Sequence, residues 1–169
     1  MSRLARLAYR SRQFWLALTT RTGSVPTERL TPYLTPPQLT LFRRLQPSEQ
    51  AHAYIVMERL KESVKATPDL LTAALLHDIG KIIVPLTIWD RMLIVLVGRF
   101  LPRLAERWGE GRPVGLRRAF VVAARHPDWG ADLAAEAGAS PCVQDLIRRH
   151  QTPASADDPL LIALQAVDN

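Results

Sequence analysis

Cysteine is nearly absent from this sequence, because Cys142 is the only one among 169 residues. A single thiol cannot form an intramolecular disulfide, and such cysteine usage suits a reducing compartment. The first eighteen residues also lack the uninterrupted apolar core and the small-residue cleavage site of a secretory signal. We therefore expect a cytoplasmic protein.

Long hydrophobic runs are also missing. The most apolar stretch, residues 82–101, is interrupted by Pro85, Asp90, Arg91 and Arg99. Each charge near a bilayer centre would cost roughly 2.5 to 3.5 kcal/mol, so this stretch predicts a buried core helix and no transmembrane segment. The alternation of apolar and polar residues that marks a strand is absent as well, which predicts an all-α fold.

Acidic residues are scarce in the first part of the chain. Residues 1–46 contain eight arginines against the single acid Glu28, a net charge of +7, so the remainder carries −1 of the total +6. We assign residues 1–46 to a basic N-terminal helical extension and linker, with a loop over residues 22–37, and residues 47–169 to the main domain. The extension could contact nucleic acid, an anionic membrane surface or an acidic partner, or could simply be a solvated face.

Proline and glycine punctuate the chain into helices. A capping side chain directly before a proline marks three helix starts; the pairs are Thr67-Pro68, Ser140-Pro141 and Asp158-Pro159. Gly80 and Gly138 stand where left-handed C-terminal caps would end helices. The predicted helices cover residues 2–20, 38–45, 48–65, 68–79, 87–107, 115–125, 127–137, 141–151 and 159–168.

The pair His77-Asp78 closes one of these helices. An adjacent imidazole and carboxylate can bind one cation, and the glycine at position 80 lets the chain turn away afterwards. The apolar residues 70–76 bury this helix and carry the pair toward the interior. An ionised aspartate buried without a cation would be costly, so the segment predicts a metal site.

The sequence here resembles the HD superfamily of metal-dependent phosphohydrolases, whose ordered His, His-Asp and Asp set lies on a helical bundle. The set matches His52, His77, Asp78 and Asp168. The string HDIGK is similar to the subgroup that contains the HD-GYP proteins, in which His-Pro and a further His follow. These correspond to His126-Pro127 and His150, so the resemblance accounts for all four histidines.

The resemblance implies one or two divalent metal ions. His52, His77, Asp78 and Asp168 would bind the first, and Asp78 would bridge to a second held by His126 and His150. Imidazole together with carboxylate suits Mn, Fe, Co, Ni or Zn better than Ca, and Mg stays among the candidates. Two ions sharing a carboxylate can activate water for attack on a phosphoester.

The implied activity is hydrolysis of a phosphomonoester or phosphodiester, such as a nucleotide, with Asp78 and Lys81 as catalytic residues. Lys81 resembles the lysine of the family that lies beside the metal and could contact a phosphate oxygen. It could also be an ordinary cation at a helix end. Arg125, Arg148 and Arg149 flank the ligands and could act similarly.

Two departures from the subgroup weigh against a cyclic di-GMP substrate. Gln151 stands where a second histidine is usual, and the Gly-Tyr-Pro signature is absent after it. The alternative function is a non-catalytic metal-binding module whose basic extension binds a partner or nucleic acid. A homo-oligomer is compatible with either, because several apolar residues recur at helical spacing and would form core or a dimer face; they are Trp89, Met92, Leu96, Phe100, Leu104 and Trp108.

Overall fold

The computed structural model describes residues 25–63 and 66–168. Over these residues the chain forms α-helices and short 3-10 helices and contains no strand, which confirms the predicted all-α class. None of the helices in these two ranges is long and apolar enough to cross a membrane. The helix predicted for residues 2–20 lies outside the described residues.

Eight α-helices and two 3-10 helices make up the described part of the chain. The α-helices are α1 Pro36–Phe42, α2 Pro47–Lys61, α3 Pro68–Leu76, α4 Ile88–Phe100, α5 Pro102–Trp108, α6 Arg117–Glu136, α7 Pro141–Arg149 and α8 Pro159–Asp168. The 3-10 helices are Thr27–Arg29 and Ile79–Ile82.

The three predicted capping residues begin their helices as expected. Oxygens of the Thr67, Ser140 and Asp158 side chains accept hydrogen bonds from the backbone N–H three residues later, at 3.2, 3.2 and 3.3 Å. A proline occupies the first helical position in each case, where its missing N–H removes no intrahelical bond. These starts are confirmed.

Two predicted helix boundaries are wrong. The helix expected over residues 87–107 is divided at Leu101, which has a non-helical backbone (φ −136°, ψ 59°). Pro102 explains the break, since a proline disfavours the helical conformation of the residue before it. Conversely, the two helices expected over 115–125 and 127–137 form the single 20-residue helix α6 with Pro127 inside it.

Gly80 has a different role from the predicted one. Positive φ occurs at Gly138 (76°), which confirms that cap, but not at Gly80. A Cβ at position 80 would instead lie 2.0 Å from the backbone oxygen of His126 and 2.8 Å from the backbone nitrogen of Gly130. The glycine therefore lets the 3-10 helix Ile79–Ile82 pack backbone against backbone on α6.

The main core is shared by α1 to α3 and α6 to α8. Its fully buried side chains include Met57, Leu75, Ile147 and Leu164. Residues within the segment 1–46, which was assigned to the extension and linker, contribute to the same core. Among them are Val25, Leu30, Leu34 and Phe42. The boundary between extension and domain at residues 46 and 47 stays a prediction.

Helix α4 packs against a second, smaller cluster. Its Leu93, Ile94 and Val97 contact the group formed by Leu86, Ala119, Phe120 and Val122. On its other side, Trp89, Leu96 and Phe100 are 74%, 51% and 72% exposed. The expectation of a buried core helix in residues 82–101 is therefore wrong, because apolar residues lie on two faces of α4 and the described residues cover only one of them.

We predict that Gly80→Ala lowers the free energy of unfolding by about 1 to 3 kcal/mol or more, because the added methyl group meets backbone that cannot rotate away. Gly98→Ala in α4 is the matched control, since nothing lies within 4 Å of a Cβ there. That change should stabilise by roughly 0.5 to 1 kcal/mol through helix propensity. Urea unfolding of both variants is the measurement, and equal stabilities would contradict the packing argument.

Candidate metal centre

The structure brings together all six residues predicted as ligands, although they come from five separate parts of the chain. His52 lies in α2, His77 directly follows α3 and is followed by Asp78, His126 lies within α6, His150 directly follows α7, and Asp168 is the last residue of α8. Helix ends therefore supply most of the set. Several helices of a bundle can end near one point, and residues at those ends then bring their side chains into the same space.

The six side chains form two groups of three, within each of which the donor atoms lie no more than 4.8 Å apart. Group one contains His52, His77 and Asp168. Oδ1 of Asp168 lies 2.9 Å from Nε2 of His52 and 3.2 Å from Nε2 of His77. Three donors around a space of this size can bind one metal ion.

Group two contains Asp78, His126 and His150. Nε2 of His126 lies 3.3 Å from Oδ1 of Asp78 and 3.3 Å from Nε2 of His150. The other carboxylate oxygen of Asp78, Oδ2, faces group one and lies 3.5 Å from Nε2 of His77. Asp78 thus presents one oxygen to each group, as a bridging carboxylate would.

Two of the buried histidines are oriented by carbonyl oxygens at helix ends. Nδ1 of His77 donates to the backbone oxygen of Ala74 at 2.8 Å, and Nδ1 of His150 donates to that of Ile147 at 2.7 Å. Carbonyls in the last turn of a helix have no intrahelical donor, so they are free to accept. With Nδ1 carrying the proton, Nε2 can offer its lone pair to the centre, and this assignment of the proton follows from the hydrogen bonds.

His126 obtains the same orientation inside a helix. We expected it at a junction between two helices, but α6 continues past it. Pro127 has no N–H to donate to the oxygen of Ala123. Nδ1 of His126 lies 3.1 Å from that oxygen and 2.9 Å from the oxygen of Val122. The proline therefore leaves without a helical donor one of the two carbonyl oxygens that this imidazole contacts.

The centre fits a divalent metal ion. His77, Asp78, His126 and His150 are buried. Nε2 of His77 forms no hydrogen bond of good geometry, despite the carboxylate oxygens nearby. Imidazole nitrogens and carboxylate oxygens that converge in a buried space can share a cation, and nitrogen with carboxylate donors suits a first-row transition metal.

The pKa values of these side chains reflect strong interactions between the carboxylates and the cationic groups around them. Burial opposes charge on His77, yet the carboxylates of Asp78 and Asp168 raise its pKa to about 9. For both carboxyl groups burial acts to raise the pKa, but nearby cationic groups, chiefly Lys81 for Asp78 and His77 for Asp168, hold it well below its usual range. Burial, reinforced by His77, lowers the pKa of His150 to about 4.

Solvent reaches the centre from group one. The side chains of His52 and Asp168 are 38% and 22% exposed, whereas all three residues of group two are buried. Lys81 lies beside this opening and its Nζ contacts Oδ2 of Asp78 at 2.6 Å. A small molecule from solvent would therefore approach on the side of His52, Asp168 and Lys81.

The flanking arginines point to other partners. Arg148 pairs with Asp128 and Asp132, Arg149 pairs with Asp145 and Asp158, and Arg125 lies over the ring of Trp129. Among the described residues none of the three forms an ion pair or hydrogen bond with the six candidate ligands. Their proposed contact with phosphate gains no support from this arrangement.

Sequence reasoning missed Gln165 of α8. Its Nε2 donates to the backbone oxygens of His150 at 3.0 Å and Thr152 at 2.6 Å, and so ties the end of α7 to the helix that carries Asp168. Gln151 lies next to group two, with Nε2 3.4 Å from Nε2 of His126. The only hint of Gln165 in the sequence is its position three residues before Asp168.

Comparison with known proteins identifies the family. The model of the HD domain matches residues 50–169. The chain belongs to the HD domain family. HD domains are in general metal-dependent hydrolases of phosphate compounds, and the His/Asp groups described above could hold such a metal. No curated protein and no solved structure matches the chain.

We predict that Pro127→Ala weakens Mn²⁺ binding to this HD domain by about 10- to 100-fold, the usual effect of losing a group that orients a ligand. The new N–H would compete with His126 for the oxygen of Ala123 and would form the helical hydrogen bond that Pro127 cannot form. Pro141→Ala, at the exposed first position of α7, is the control. Calorimetric titration with Mn²⁺ gives the affinities, and equal values for both variants would contradict the role assigned to Pro127.

Proposed function

We propose that this HD domain is a cytoplasmic metal-dependent phosphohydrolase that cleaves a phosphomonoester or phosphodiester, such as a nucleotide. Within the superfamily we assign it to the HDIG type, related to HD-GYP domains but without their Gly-Tyr-Pro signature. The missing signature and Gln151 lead us to propose a substrate other than cyclic di-GMP. The observation that carries the proposal is the pair of three-donor groups with Asp78 between them.

The proposed ligands divide by group. His52, His77 and Asp168 would hold one ion and His126 and His150 the other, with Asp78 shared between them. Bound ions of this kind activate water and neutralise charge on the phosphoryl group. The proposal holds for one bound ion or for two, because either group alone could hold one.

The residues of the chain would orient the substrate and supply charge. Lys81, at the opening and 2.6 Å from Asp78, is the only lysine among the described residues that contacts a proposed ligand, and a phosphate oxygen bound there would meet its ammonium group. The buried leucines and alanines of α3 exclude water from the back of the centre. Charge on a phosphoryl group is stabilised more strongly where water is excluded. The position of Lys81 beside a partly dry centre therefore favours a hydrolytic role for the metal over a purely structural one.

We predict that Asp78→Ala abolishes both metal binding and turnover, because the change removes the carboxylate that faces both groups. Lys81→Ala should keep the metal and lose about 100-fold or more in kcat, the typical loss on removing one charge-stabilising donor. Lys61→Ala, an exposed lysine of α2 paired with Glu58, is the matched control and should behave as the unchanged protein. Metal content by mass spectrometry and turnover of a panel of nucleotide and generic phosphoesters with Mn²⁺ are the measurements.

The alternative is a non-catalytic metal-binding module. The contact between Lys81 and Asp78 favours it, because a lysine held by a ligand carboxylate is less available to a substrate. Stoichiometric metal with no turnover of any phosphoester in the panel would establish the alternative and overturn the proposed enzyme. Turnover that survives Asp78→Ala would overturn the ligand assignment.

A further inference from the structure

Helix α4 carries an apolar surface that nothing in the described part of the chain covers. We call this surface the outer face of α4; it consists of Trp89, Met92, Val95, Leu96 and Phe100. At roughly 100° per residue, these positions fall within an arc of about 140°. The opposite side of the helix packs on the small cluster around Phe120. The outer face is thus an apolar stripe, with Trp89, Val95, Leu96 and Phe100 each more than half exposed, and the exposed Arg99 falls within the same arc.

Ion pairs and a capping box anchor helix α4 on the described part of the fold. Asp90 caps its first turn through Thr87 and pairs with Arg118 of α6 at 2.7 Å. Arg91 pairs with Glu49 of α2 at 2.6 Å. These contacts anchor the inner side of α4 on two other helices and leave the outer face directed away from them.

The chain segment that carries and follows the outer face is basic. Residues 88–118 contain seven arginines and three acids, a net charge of 7 − 3 = +4. Two of the arginines form the ion pairs just described. The others are exposed and form no ion pair with any described carboxylate; they are Arg99, Arg103, Arg107, Arg112 and Arg117. Arg99 also lies 6.0 Å from the ring centroid of Phe100, so charge and apolar surface are directly adjacent.

We propose that the outer face of α4 docks on the surface of an anionic phospholipid bilayer. Tryptophan, phenylalanine and leucine side chains would enter the boundary between headgroups and acyl chains, and the free arginines would contact lipid phosphates. With 13 residues, α4 is too short to cross the hydrocarbon core and would lie in the plane of the membrane. The inference is independent of the proposed hydrolysis.

The charges favour a bilayer over a second copy of the chain. A symmetric dimer through this surface would bring two sets of unpaired arginines together, whereas an anionic bilayer supplies the opposite charge. Nucleic acid would also satisfy the arginines and could stack on Trp89 and Phe100. Nucleic acid has no comparable apolar surface for the aliphatic side chains of Val95 and Leu96, however, and these make up much of the stripe.

Sedimentation with vesicles tests the proposal on the full chain. We expect binding to vesicles of equal parts phosphatidylcholine and phosphatidylglycerol, and much weaker binding to phosphatidylcholine alone. The double variant Leu96→Ser/Phe100→Ser should weaken binding at least tenfold without a change in thermal stability, because both residues are exposed. The matched control is Ile55→Ser/Ile162→Ser, two residues of comparable exposure on α2 and α8, which should bind as the unchanged protein does.

Two further measurements separate the apolar and charged contributions. Arg99→Gln should weaken binding about fivefold, the value of one cationic side chain near an anionic surface. Brominated acyl chains should quench tryptophan fluorescence in the unchanged protein and quench it much less in Trp89→Phe, although three other tryptophans remain.

Other outcomes would overturn the proposal. They include no binding to the anionic vesicles, and equal binding by the outer-face and control variants. A third outcome is vesicle binding that persists in the outer-face variant but is lost when four N-terminal arginines are replaced by glutamine, namely Arg3, Arg6, Arg10 and Arg12. That result would assign vesicle binding to the N-terminal extension. A dimer in sedimentation equilibrium that dissociates in Leu96→Ser/Phe100→Ser, without vesicle binding, would assign the face to a second copy.

Discussion

Backbone carbonyl oxygens without a helical donor orient three imidazoles of the candidate metal centre. Those of Ala74 and Ile147 are free because their helices end, and that of Ala123 is free because a proline follows His126. Each Nδ1 faces the carbonyl oxygen three residues earlier, that of His126 also faces Val122, and Nε2 is left to face the other donors. Each flexible side chain is thereby oriented by a carbonyl oxygen for which the helix itself has no donor.

The distance between the two halves of the centre depends on close backbone packing. Gly80 follows the His77-Asp78 pair and lies against α6 beside His126 and Gly130, where no Cβ would fit. Because the backbones touch, Asp78 can reach His126 with Oδ1 and His77 with Oδ2. A bulkier residue at Gly80 would separate α6 from the chain that carries Asp78, and a carboxylate is too short to span a wider gap.

Much of this arrangement could be predicted from the sequence, and the failures have physical causes. Capping pairs such as Ser140-Pro141 located helix starts because capping chemistry is local. A helix boundary was predicted at Pro127, but the helix continues through it. The side chain of His126 takes the place of the missing N–H at the Ala123 oxygen, and no local rule anticipates that contact. Gly80 was assigned to a turn because its real neighbour is a backbone atom of α6. The apolar residues of α4 were assigned to the core because hydropathy does not reveal which of two apolar faces is covered.

The two groups differ in how far apart their members lie along the chain. His126 and His150 are 24 residues apart, whereas His52 and Asp168 are 116 residues apart. Group one therefore exists only when α2 and α8 are packed together, and closing that longer loop costs more conformational entropy. A chain that has not finished folding lacks the solvent-facing half of the centre. Competence to capture a metal there is in this way tied to completion of the fold.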